Sequence, residues 1–219
     1  MELHRARRRA LLVFAAGIGC PAAIRLALAQ SSAKQGVRTV QGNMRINGNP
    51  AEAGTLVRPG DTIVLANGAL ATFVVGQDAF LMRGDSRVEL IGSGLLVNAV
   101  QLITGKLLGV FGSGRERRLV TATASIGIRG TGAYMEAETQ RTYFCLCYGT
   151  AEVAATMGGA RESYSTRHHE SPRYIYGDGR KRAIVPASVV NHTDSELILL
   201  ESLVGRSPPQ SFMDSPVRY

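Results

Sequence analysis

The sequence predicts an all-β, mainly β domain followed by one short C-terminal α-helix, and three observations carry that prediction. From residue 37 to about residue 153 the chain is a succession of short apolar or alternating runs, each ended by Gly, Asn or Asp. In Ala71-Thr72-Phe73-Val74-Val75 and Arg87-Val88-Glu89-Leu90-Ile91 the apolar residues recur at every second position, so Phe73, Val75, Val88 and Leu90 should face one core. A helical period appears only near the C-terminus, after a capping box.

Residues 1–29 precede this domain and read as a signal-peptide helix. Arg5, Arg7, Arg8 and Arg9 form the charged region, Ala10 to Ile24 the apolar run, and Ala27-Leu28-Ala29 the site for cleavage before Gln30. A bilayer span needs about 20 apolar residues, and Arg25 interrupts this run, so no permanent transmembrane anchor is expected after cleavage. Arg8-Arg9-Ala10-Leu11-Leu12 has the form of a twin-arginine signal, with Sec export as the alternative route. Cys20 is not expected to carry a lipid, because Gly17-Ile18-Gly19 lacks a leucine-type residue and Pro21 follows. The mature protein is therefore expected in the periplasm or secreted.

The leader holds five of the 25 basic residues and one of the 17 acidic ones, leaving 20 against 16. So small and dispersed a surplus argues against a nucleic-acid partner, which requires clustered Lys and Arg. Only Cys145 and Cys147 of the three cysteines follow the leader, which excludes a disulfide framework and leaves stability to a hydrophobic core.

Taken in order, residues 30–36 are small and polar and predict a flexible mature N-terminus. The β domain spans 37–155. Its candidate strands are 37–40, 44–46, 62–65, 71–75, 79–82, 87–91, 100–103, 106–111, 119–121, 132–137, 142–147 and 150–153, with most glycines between them as turn residues. Residues 156–192 form a long excursion rich in Gly, Ser, Arg and His, with short strands suggested at 173–176 and 183–185. A C-terminal helix over 193–205 starts at Thr193-Asp194-Ser195-Glu196, presents Leu197, Leu200, Leu203 and Val204 on one face, and stops at Gly205 before Pro208-Pro209. Residues 206–219 are a tail.

The segment from Leu119 to Gly132, with Ser125-Ile126-Gly127-Ile128-Arg129-Gly130-Thr131 at its centre, resembles the signature of the FecR-like periplasmic domain family. Gly60-Asp61, Ala66-Asn67-Gly68-Ala69, Ser86 to Leu90, Gly105-Lys106-Leu107 and Tyr148 to Val153 fall in the family's order, so the resemblance covers roughly residues 37–155. It implies a β-solenoid-like or rolled antiparallel β domain that, in the family's namesake, senses an outer-membrane receptor and relays a signal to a sigma factor. No cytoplasmic anti-sigma segment is legible, so the expectation carried over is the fold and a binding or regulatory role toward an envelope protein or small ligand. In the signature, Gly127 and Gly130 should allow a sharp turn, with the Arg129 guanidinium either pinning that turn through carbonyls or binding a carboxylate.

Cys145 and Cys147 flank Leu146 in a predicted strand, and the period of two puts both sulfurs on one face, a bidentate arrangement suited to a soft metal. His168, His169 and His192 follow within the excursion and complete a thiolate and imidazole inventory for zinc or copper. Two buried thiols with the histidines in an exposed loop, or a redox-active thiol pair, are the competing readings. The sequence holds no G-x-S-x-G elbow, H-E-x-x-H or P-loop, and Cys147 with His169 lacks an orienting third group, so an enzyme is not expected.

Overall fold

Alternating side chains and glycine-ended runs fold into a single rolled sheet. The computed structural model describes residues 33–215; the leader, Cys20 and the cleavage residues Ala27, Ala29 and Gln30 lie outside the described residues. Fourteen strands are present among them: β1 (Gly36–Gln41), β2 (Met44–Ile46), β3 (Asn49–Pro50), β4 (Thr62–Leu65), β5 (Leu70–Val75), β6 (Asp78–Arg83) and β7 (Ser86–Ser93), then the long β8 (Leu96–Val110). They continue with β9 (Glu116–Val120), β10 (Ala124–Ala137), β11 (Arg141–Ala155), β12 (Arg161–Thr166), β13 (Arg173–Tyr176) and β14 (Ile184–Pro186). The main path runs β14-β13-β11-β10-β9-β8-β7-β4-β2-β3, with β6, β5 and β1 branching from β8, and the sheet does not close on itself. Every pairing is antiparallel except β8 with β9.

The roll comes from long strands that change partners halfway. The first part of β8 pairs with β7, and after Gly105 the strand turns to β6 and β10. Gly105 has φ +90°, and a Cβ there would lie 2.1 Å from Ser86 Oγ, so only glycine permits the bend. Gly149 does the same for β11, which pairs with β13 before it and β12 from it onward. Most of the described glycines do lie between strands, as expected, while these two bend strands from within. For the same reason residues 142–147 and 150–153 are one continuous strand instead of two.

The roll encloses a hydrocarbon layer built from Phe73, Phe80, Val88, Leu90, Leu107, Ile126, Met135, Phe144 and Leu146, among others. Phe73, Val75, Val88 and Leu90 are all in it, as the alternation predicts. The opposite face of the same strands is also buried, which two-residue periodicity alone did not indicate. Val74, Leu81, Leu108, Val110, Tyr134, Tyr143, Cys145, Cys147 and Tyr148 form a second layer, covered by helix α1 (Asp194–Leu203) and the short α2 (Gln210–Met213) through Leu197, Leu200 and Phe212. Helix α1 carries the complete capping box expected at Thr193 and Glu196.

Two further expectations change. Gln35 is not part of a free N-terminus, because its side chain accepts from Gly76 N at 2.6 Å and donates to Gly76 O at 3.1 Å. The signature segment is strand, not turn: Ile126 and Ile128 point into the inner layer, and Arg129 stands exposed beside a bulge at Gly130. No helix among the described residues is long and apolar enough to cross a membrane.

Candidate metal centre

Strand β11 delivers the two cysteines. Phe144 and Leu146 point inward to the hydrocarbon layer, while Cys145 and Cys147 point to the second layer, both fully buried. Cys147 is the extra residue of a β-bulge, since Leu146 pairs with Ala133 and Tyr148 with Gly132. Along this stretch neither β13 nor β12 covers the edge of β11, and the loop between them fills the gap. Thr166 Oγ1 donates to Leu146 O at 2.7 Å and His169 N donates to Cys147 O at 3.0 Å, which sets the His169 ring against the cysteines.

His169 adopts φ +54°, a left-handed conformation that costs a non-glycine residue about 1–3 kcal/mol and recurs at functional sites. Asn191, at φ +57°, turns the chain so that His192 reaches the same spot just before the cap of α1. The His192 ring stacks on Tyr134 with centroids 4.5 Å apart. Both rings are buried, correcting the alternative that placed the histidines in an exposed loop. Cys145, Cys147, His169 and His192 therefore converge, with one donor atom from each lying within 4.8 Å of the others.

The distances fit a tetrahedral ion. Zinc at about 2.0–2.1 Å from nitrogen and about 2.3 Å from sulfur gives N···N edges of about 3.4 Å and S···N edges of about 3.6 Å. His169 Nδ1 lies 3.1 Å from His192 Nε2 and 3.4 Å from Cys145 Sγ. Each imidazole is held from behind: His169 Nε2 contacts Asp194 Oδ1 at 3.1 Å, and His192 Nδ1 donates to Val190 O at 2.7 Å. Such outer partners fix the tautomer, leaving His169 Nδ1 and His192 Nε2 as the inward lone pairs.

Without an ion the cluster balances charge among its own members. Burial raises the Cys145 thiol, but hydrogen bonds from Cys147, His169 and His192 outweigh it and hold its pKa well below the ordinary thiol value. Burial lowers His169, and the Cys145 thiolate and Asp194 carboxylate reverse this and raise it. Burial and the neighbouring thiolate both push Cys147 up.

His168 does not join the four. It contacts Asp194 Oδ2 at 2.9 Å and packs edge-on to Phe212, one step behind His169. Asp194, read from sequence only as part of the helix cap, is the orienting group that sequence reasoning missed; the signal was an acidic residue two places after His192. Asp194, His169 and Cys145, not Cys147, form a carboxylate, base and thiol line. Within that line Cys145 is fully buried in the second layer, whereas Asp194 is partly exposed.

The signature residues lie elsewhere. Gly127, Arg129, Thr150, Glu116 and Glu152 line a shallow depression on the outside of β9, β10 and β11, and Thr131 is buried. No family model and no curated protein matches the sequence. Among solved structures, a candidate anti-sigma factor from Parabacteroides distasonis superposes with a TM-score of 0.49 at 10% identity, over 64% of this chain and 64% of that one. A second candidate anti-sigma factor from the same organism gives 0.48 at 11% identity, over 65% of this chain and 73% of the other. This chain spans just under two thirds of the length of the first.

Proposed function

We propose that this domain is a non-enzymatic, exported zinc-binding module in which Cys145, Cys147, His169 and His192 hold one tetrahedral ion. The observation that carries the reading is the inward pair of imidazole nitrogens. His169 Nδ1 and His192 Nε2 face each other at 3.1 Å while their opposite nitrogens are engaged by Asp194 and Val190 O. Two lone pairs so close repel unless a proton or a cation lies between them, and two cysteines complete a cation's shell. A mixed sulfur and nitrogen donor set without an open position suits structural zinc. Cys145 and Cys147 would bind as thiolates, and the ion would supply charge neutralisation and cross-linking, with no chemistry on a substrate.

The regulatory role that the sequence resemblance implies fits a module of this kind, with the centre stabilising a domain that recognises an envelope protein. Elemental analysis of protein purified without chelator should give close to one zinc per chain, lost in the C145S/C147S double variant. Cobalt substitution should add the intense visible bands of tetrahedral thiolate coordination. Copper in place of zinc would revise the metal, and metal-free protein with both thiols reactive only after denaturation would overturn the reading.

A further inference from the structure

The four ligands come from three separate pieces of chain, and one of them belongs to the cover of the second layer. Cys145 and Cys147 lie in β11 and His169 in the loop beside it, whereas His192 immediately precedes Thr193, the N-cap of α1. Asp194, which supports His169 from behind, is the first residue of the helix itself. His192 can reach the cysteines only while α1 sits on the sheet. Resting on the zinc reading, we infer that metal occupancy fastens the C-terminal segment 193–213 as a releasable cap, and that losing the ion bares the apolar face beneath it.

The cap's other attachments are side-chain contacts, with no strand pairing to the sheet. Helix α1 has 10 residues, shorter than the roughly 12–15 at which an isolated helix becomes even marginally stable in water. It buries Leu197 and Leu200, while Ile198 and Leu199 face solvent at 41% and 46% exposure. Beyond these contacts the segment is held by the partly buried Arg83–Glu196 pair at 2.8 Å, by Tyr148, which donates to Glu201, by His168 on Asp194 at 2.9 Å, by Arg206, which donates to Gln77 O at 2.6 Å, and by Phe212 packed edge-on to Tyr148. The inner layer, by contrast, comes mostly from the strands and includes no residue of the cap. An ion that binds only the docked arrangement shifts the docking equilibrium by its binding energy, and the released state exposes Val74, Leu81, Leu108, Val110 and Tyr148 as one apolar surface.

The test uses the full chain in three states: zinc-loaded, chelator-treated and reloaded. Hydrogen exchange should rise in residues 193–213 on chelation and fall again on reloading, while β5 to β8 stay protected and a hydrophobic dye binds only the chelated form. Reciprocity gives an independent readout: L200D, which supplies no ligand but undocks the helix, should weaken zinc binding by about tenfold or more. Zinc that binds stoichiometrically and leaves without changing exchange in 193–213 would overturn the cap while leaving the metal site intact. Loss of protection throughout the sheet would overturn it as well, by making the ion a support of the whole fold. Failure of the wild-type chain to bind zinc at all would remove the site and the cap together.

Discussion

The two buried layers of this domain are made by the same strands and obey different rules. The inner layer is hydrocarbon and aromatic: Phe73 stacks on Phe80 at 5.0 Å, and Phe80 meets Phe111 edge-on at 5.6 Å. It needs only shape, and alternation supplies it. The second layer mixes Leu197 and Leu200 with three tyrosines, two thiols and two imidazoles, each needing a partner once removed from water. Tyr148 donates to Glu201 at 2.5 Å and Tyr143 to Ser188 O at 3.0 Å, while the cysteines and histidines satisfy one another. The contrast separates a layer that specifies the fold from one that holds chemistry.

Substitutions should divide along that line. F80A, in the inner layer, should cost about 3–5 kcal/mol in denaturant unfolding, by the same amount with zinc and without it. A cost that depended on zinc would join the two layers into one cooperative unit. Smaller per unit change is the effect of pH on the second layer. A proton on His169, whose pKa is raised, and one on Cys147, also raised, both compete with the ion. Zinc affinity should therefore fall as pH drops through neutrality, by about ten- to a hundredfold per pH unit as one or two protons are taken up, whereas unfolding of the metal-free chain should vary less. Competition titrations with a chromogenic chelator would read the slope, and a flat profile would argue against thiolate ligation.

D194N should weaken zinc by about 10–100-fold, because it loosens the ring of His169 without removing a ligand. Unchanged affinity would reduce Asp194 to a helix residue. The smallest effect is expected from T193A, which removes the cap hydroxyl that accepts from Glu196 N and should cost about 1 kcal/mol of thermal stability. Its sharper use is comparative: the loss should appear in exchange from α1 before it appears anywhere in the inner layer.

Much of this arrangement was legible before any coordinates. The period of two placed Cys145 and Cys147 on one face with Leu146 opposite, and the capping box located α1, because both signals are local. The convergence of His169 and His192 was not legible, since it depends on a gap between β12 and β13 and on left-handed turns at His169 and Asn191, which no spacing rule encodes. The Arg129 turn was misread because glycines that end strands and glycines that bend them look alike in sequence. Asp194 was hidden by its more obvious part in the helix start.

The alternation of β11 also limits how this chain can change over time. Its inward residues, Phe144 and Leu146, and its outward ones, Cys145 and Cys147, interleave one by one, so a single inserted or deleted residue upstream of them in the strand would trade the two sets. Leucine would then arrive where sulfur is needed and sulfur where hydrocarbon is needed. Under the zinc reading, a point substitution at Cys145 or Cys147 would remove a ligand and leave the inner layer untouched, whereas a shift of β11 by one residue would disturb both.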